Sequence, residues 1–320
     1  MRNLKEYSFK DWLTFQPLKW SLKQLRNDIY CSLYVKRHSP TAKDQLSAVD
    51  RALSETKNLL ITIAFEKPEV IELQLKALQD NPAGAVHLVA DNSYSTTAQQ
   101  AIAEICSKYG CLYIKLPEIH ITHNARSHSF ALQWVYENLV RPYEIKKFGF
   151  IDHDLIPFRI GDEFNQLKSA FAFGLKRDGV LSNSAWQLWT GYCFFNQKML
   201  KSTRLNFMYD FANGLDSGGR NYHQLFKKQS SEDFIFSKQS IASVDTQWGR
   251  IDMELLNDAW LHLGGVAYMD DSENRMQAFK YACDLLSKAV KEHSSFDSVL
   301  ISNRELPIGI TYMGYKDQVF

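Results

Sequence analysis

Short apolar runs alternating with longer stretches of helical period begin at residue 58. LLITIAF (residues 59–65) is a continuous apolar run fit for burial on both faces of a sheet. PEVIELQLKALQD follows with helical periodicity from Pro68, a residue suited to a first helical turn. AVHLVAD (85–91) predicts a second strand ending at Asp91 and Asn92, then a helix over 96–109 that stops at Gly110. CLYIKLP (111–117) is a third strand, and a helix through SFALQWVYENL leads to KKFGFIDHDLIPF, whose 148–151 run is a fourth, ending at Asp152. Strands joined by crossover helices make an α/β, doubly wound, mostly parallel sheet. Right-handed crossovers put the strand ends on one edge, where ligands bind.

The flanks differ. Trp12, Leu13, Phe15, Leu18, Trp20, Leu22, Leu25, Ile29 and Leu33 recur at helical spacing among Lys19, Lys23, Arg26, Lys36 and Arg37. Two readings of this helical N-terminal arm stay open: its apolar face packs on the main domain, or residues 1–45 make peripheral contact with an anionic membrane. Beyond the fourth strand the pattern is less regular, with aromatic and Gly-containing stretches over 186–222, a helix expected over 253–263, a helical tail over 274–293 and a strand or loop near 308–315. The expected organisation is an arm over 1–57, a catalytic domain over 58–270 whose halves are 58–158 and 159–270, and a C-terminal helical extension over 271–320.

Composition narrows the function. With 45% hydrophobic and 23% charged residues in 320, the chain belongs to the ordinary globular range. A net charge of +1 offers no field for nucleic acid, which is not an expected partner. Residues 1–45 nonetheless hold nine Lys or Arg against four Asp or Glu, so the arm is +5 and residues 46–320 are −4. The five cysteines are scattered and form no CxxC pair, which points to reduced thiols and a cytoplasmic location rather than a disulfide framework or zinc site. No apolar stretch is long enough for a membrane span, and no signal peptide is recognised.

The chemistry centres on IDHDLIPF. Asp-His-Asp at the end of an apolar strand is costly to desolvate unless a cation meets it. Asp152 and Asp154, two apart, would share one face of a regular strand, with His153 pointing away. Such carboxylates, with water and phosphate oxygens, suit Mg²⁺ or Mn²⁺. Triplets of this kind also occur in surface turns, but the position after the fourth strand favours a metal site.

With LLITIAF, Asp91-Asn92-Ser93, a helix opening at Asn124-Ala125-Arg126, Asp152-His153-Asp154 and the segment TGYCFFN, residues 58–265 resemble glycosyltransferases of the A-type fold, most closely family two. The resemblance implies a nucleotide-diphospho-sugar transferase-like fold and a hexosyltransferase-like enzyme using a UDP- or GDP-sugar. It favours inversion at the sugar. It implies contact of Asp91 with the nucleotide base, of Phe65 and Glu66 with base and ribose, and of Asp152 and Asp154 with the diphosphate through the metal. Asn92 and His153 fall in the same nucleotide-sugar set, and His262 resembles a C-terminal histidine that some such enzymes use as a further metal or diphosphate ligand.

The family's catalytic base lacks its usual Glu-Asp pair. Asp216 in LDSGGRNY is the nearest equivalent, equally readable as a turn residue, with Asp245 and Asp252 in reserve. On the expected helix Asp258 would orient His262 from four residues away, although a lone His among Trp260, Leu261 and Leu263 is also an ordinary packed residue. Arg126 and His128 offer cations for the diphosphate, while His120 and His123 read as loop residues. Trp186 and Trp189 present faces on which an acceptor sugar could stack, at least one of them being expected in the core, and Gly191 would allow close approach of the acceptor. A carbohydrate or lipid-linked acceptor in polysaccharide or glycolipid synthesis fits a cytoplasmic enzyme touching the inner face of a membrane. Two other readings are a nucleotidyltransferase, weakened by the lack of glycine in AFEKPE, and a non-catalytic binding module. P-loop and dinucleotide glycine fingerprints are absent.

Overall fold

The structure, a computed structural model, describes residues 2–119, 121, 124–182, 184–200, 203–264, 272–292 and 310–315. Strands β1 (Asn58–Ala64), β2 (Val86–Asp91), β3 (Leu112–Lys115) and β4 (Lys147–Asp152) are mutually parallel in the spatial order β3-β2-β1-β4. After β5 (Leu155–Pro157), the strands β6 (Ala172–Asp178), β7 (Trp186–Asn196) and β8 (Phe234–Phe236) extend that sheet to seven strands, with β7 antiparallel to β4. The four expected strands are therefore present, in a mostly parallel sheet with helices on both sides.

The apolar run of β1 explains its central position. Leu59, Ile61 and Ile63 face one buried cluster with Val49, Leu53, Phe130 and Phe148, while Ala64 joins another with Ile71, Leu75, Val89 and Ile102. Helices α3 (Lys43–Glu55) and α6 (Asn124–Val135) thus cover one face, and α4 (Pro68–Asp80) and α5 (Thr96–Lys108) the other. Each buried aliphatic contributes roughly 1.5–3 kcal/mol relative to exposure. Before them run α1 (Phe9–Leu13) and α2 (Gln16–Tyr34).

The second half departs from expectation. Residues 253–263 form no helix; instead β10 (Gly249–Leu256) and β11 (Trp260–His262) pair antiparallel. Asn257 and Asp258 make the reversal with φ of 51° and 52°, a conformation those two residue types tolerate best among non-glycines. With β9 (Gln239–Thr246), β12 (Ile310–Tyr315) and β5, they form a second sheet in the order β12-β9-β10-β11-β5. The C-terminal helix Ser272–Glu292 covers it, Met276, Phe279 and Cys283 packing in one cluster with Ile251, Met253 and Leu255. The chain passes from β4 in one sheet to β5 in the other through His153 and Asp154.

Candidate active site

The carboxylates converge by a different route from the one expected. The strand ends at Asp152, and His153 and Asp154 form a turn, so strand alternation does not align the two acids. The turn does. Thr62, buried in mid-β1, donates its hydroxyl to Gln74 Oε1 at 2.7 Å. The Gln74 amide in turn donates to the carbonyls of Asp152 and Leu155, both at 2.8 Å. One buried side chain thus holds both ends of the turn, at a strand edge where backbone groups must find partners.

Ligand atoms of Asp152, Asp154 and His262 lie within 4.8 Å of one another. His262 Nε2 is 3.5 Å from Asp154 Oδ1, and its Nδ1 is 3.1 Å from Glu254 Oε2. This corrects the expected helix pairing: Glu254 sits directly across the β10–β11 ladder from His262, whereas Asp258 occupies the reversal. A carboxylate on one ring nitrogen aims the other at the acids, the arrangement that orients metal-binding imidazoles. Gln239 donates to Glu254 Oε1 at 2.8 Å and fixes that carboxylate.

The electrostatics are those of acids crowded together. Burial, then the charge of Asp154, push the Asp152 carboxyl up to about 6, with Asp216 adding to the rise and His262 and His153 opposing it. Burial would lower His262, but hydrogen bonds to Asp154 and Glu254 outweigh it and raise the imidazole to about 10. Burial holds His128, whose Nε2 is 3.9 Å from Asp152, down to about 4. Two carboxylates and an imidazole at the sheet edge fit a divalent ion with oxygen and nitrogen ligands, Mn²⁺ or Mg²⁺.

Other expected site residues have varied placements. Asp91 is fully buried at the end of β2, accepting from Ser93 N and from the Tyr113 hydroxyl, both at 2.8 Å. Asn92 is likewise turned inward, donating to Ser127 Oγ. Glu66, at φ 55°, accepts from the backbone of Tyr94 and Ser95 just ahead of α5. Phe65 meets Tyr94 edge to face at 5.7 Å, and Tyr94 is the exposed aromatic of this corner. Arg126 sits over the rings of Tyr30 and Phe130, both at 5.8 Å, against the N-terminal arm. His153 Nε2 is buried with no hydrogen-bond partner among the described residues.

Asp216 is exposed, in a turn fixed by Gly218 at φ 82° and by a Ser217–Ser129 hydroxyl contact of 2.9 Å to α6. The Ser217–Ser129 contact brings this turn to the stretch of α6 that carries His128, which is 3.9 Å from Asp152. Asp252 is exposed on β10; the Asp245 side chain, His120 and His123 lie outside the described residues. Trp186 is partly buried against the core, stacked on Phe226 at 4.5 Å and edge-on to Phe234. Trp189 instead packs against His262 with centroids 4.7 Å apart. A Cβ on Gly191 would fall 2.2 Å from the Trp189 ring, so the glycine makes room for that ring.

Gln74, Glu254 and Tyr94 are the residues that sequence reasoning missed. For Glu254 a signal existed: Ile251, Met253 and Leu255 alternate with polar residues, and Asn257-Asp258 marks a reversal.

No protein-family model matches the chain, and no curated protein matches it. Among solved structures it is similar to a mannosyltransferase from Pyrobaculum calidifontis in complex with GDP-Man and Mn²⁺, at TM-score 0.32 and 13% identity over 57% of this chain and 56% of that one. It is also similar to the galactosyltransferase LgtC in complex with donor and acceptor sugar analogues, at TM-score 0.38 and 10% identity over 56% of this chain and 73% of that one. A third is glucosyl-3-phosphoglycerate synthase from Mycobacterium tuberculosis in complex with UDP, at TM-score 0.37 and 13% identity over 62% of this chain and 75% of that one. The chain spans only 56% of the mannosyltransferase's length.

Proposed function

We propose that this chain is a metal-dependent glycosyltransferase that moves a sugar from a UDP- or GDP-sugar to a hydroxyl of a carbohydrate or lipid-linked acceptor. The observation that carries the reading is the convergence of Asp152, Asp154 and His262 at the carboxyl edge of a mostly parallel sheet. Burial and the neighbouring Asp154 raise the proton affinity of Asp152, and acids so placed at the edge of such a sheet suit a cation and an anionic ligand.

In this reading Asp152 and Asp154 hold the ion with His262, and Glu254 keeps the imidazole aimed. A divalent ion bound there supplies charge neutralisation for the departing diphosphate. Phe65 and Tyr94 border the base and ribose. Asp216 accepts the acceptor's proton as that oxygen attacks the anomeric carbon, a single displacement that inverts the sugar. Trp189, beside His262, faces the acceptor. Calorimetric titration of UDP- and GDP-sugars with and without Mn²⁺ tests this: binding should require the ion and vanish in Asp152→Ala. Failure of every donor, or binding indifferent to both changes, would remove the enzyme reading.

A further inference from the structure

Helix α2 has two unlike faces. One is fixed to the body: Trp20 stacks on Phe211 at 5.6 Å, Asn27 donates to the Tyr209 hydroxyl, Asp28 pairs with Arg220, and Cys31 and Tyr34 are buried. The other carries Leu18, Leu22, Leu25, Ile29 and Leu33 at steps of four, three, four and four, one continuous stripe along a 3.6-residue period. These side chains are 51–58% exposed. Just ahead of α2, Phe9, Leu13 and Phe15 prolong the apolar surface, each more than 60% exposed. Among the described residues nothing covers this surface, and an apolar surface of this extent marks a binding face.

Charge selects the occupant. Lys19 and Arg26 are exposed, and at 100° per residue they fall along one edge of the stripe. The arm is +5 in a chain of +1. A second copy seated face to face would bring two such basic arms together, whereas an anionic surface neutralises them. Bulky aliphatics, aromatic residues and flanking lysine or arginine on a fixed helix are what the boundary between lipid headgroups and acyl chains accepts. We infer that the outer face of α2 docks this protein on an anionic lipid bilayer. The segment beneath α2, carrying Tyr209, Phe211 and Arg220, also carries Asp216. The docking stands whether or not sugar is transferred.

Flotation of the full chain with vesicles of phosphatidylcholine alone, and of phosphatidylcholine mixed with phosphatidylglycerol, tests the inference. The protein should float with the mixed vesicles at least about tenfold more than with the neutral ones, and salt should weaken that binding. Leu22→Gln/Leu25→Gln/Ile29→Gln should abolish flotation with unchanged circular dichroism, since all of these side chains are exposed. Lys19→Glu/Arg26→Glu should lower binding about tenfold or more with no change of fold, and reads the charge separately. Indifference of the wild type to both vesicles, or of both variants to the change, overturns the inference. So does a dimer in analytical ultracentrifugation that the glutamine variant dissolves, which would give the stripe to a second copy.

Discussion

Two acid–histidine groups on this chain have opposite electrostatic outcomes. Asp210 is fully buried, yet it accepts from Ala212 N at 3.1 Å, from Asn213 Nδ2 at 2.6 Å and from His223 Nε2 at 3.1 Å. Burial alone would raise its carboxyl, but the hydrogen bonds from His223 and Asn213 hold it below the ordinary 3.8. Asp152 is raised to about 6, first by burial and then by the charge of Asp154, with no such ring of donors among the described residues to offset them. The first group is complete within the protein. The second group brings two acids together, which is the arrangement a bound cation would relieve.

The largest test breaks the incomplete group. Asp152→Ala/Asp154→Ala should cut transfer by at least about a thousandfold, the several kcal/mol that a catalytic ion supplies, and should abolish Mn²⁺-dependent donor binding in calorimetry. Next, Asp216→Asn should lower kcat by about a hundredfold or more in a transfer assay while leaving Mn²⁺ affinity intact; equal loss of both would make it a ligand and not a base. The same kind of change in the complete group should cost stability and not chemistry. Asp210→Asn should lose about 2 kcal/mol at pH 7 by urea unfolding, since it weakens hydrogen bonds to a buried charge. Because the folded carboxyl lies below 3.8, its contribution is present above that pH and is lost as pH falls through the folded value, so wild type and variant should converge on acidification. The smallest effect has the opposite sign: metal-free Asp152→Asn should be about 1 kcal/mol more stable than metal-free wild type at pH 7.5, because one of the crowded charges is gone.

The parallel strands were readable because LLITIAF, AVHLVAD and FGFI are apolar on both faces, a pattern only a covered sheet accommodates. Asp152 and Asp154 were readable because acids at such a strand end have few structural uses. The β10–β11 hairpin was not, because Leu256, Ala259, Trp260 and Leu263 also fall at helical spacing and mask the alternation before them. That one error displaced the partner of His262 from Glu254 to Asp258. The inward turn of Asp91 depended on Tyr113, a residue on a neighbouring strand whose hydroxyl no local pattern could locate. Trp186 and Trp189 look alike in sequence; only the packing of β7 on Phe226 and on His262 tells them apart.

The passage of the chain from one sheet to the other has a mechanical implication. Asp152 ends a strand of the seven-stranded layer, His262 belongs to the five-stranded layer, and Asp154 lies in the joint that Gln74 clamps. An ion held by the three would rivet the layers together, and a slip between them of about 1 Å would cost on the order of a hundredfold in rate. Substitutions in the C-terminal helix, remote from any reacting atom, would then register as weakened ion affinity before they register as unfolding.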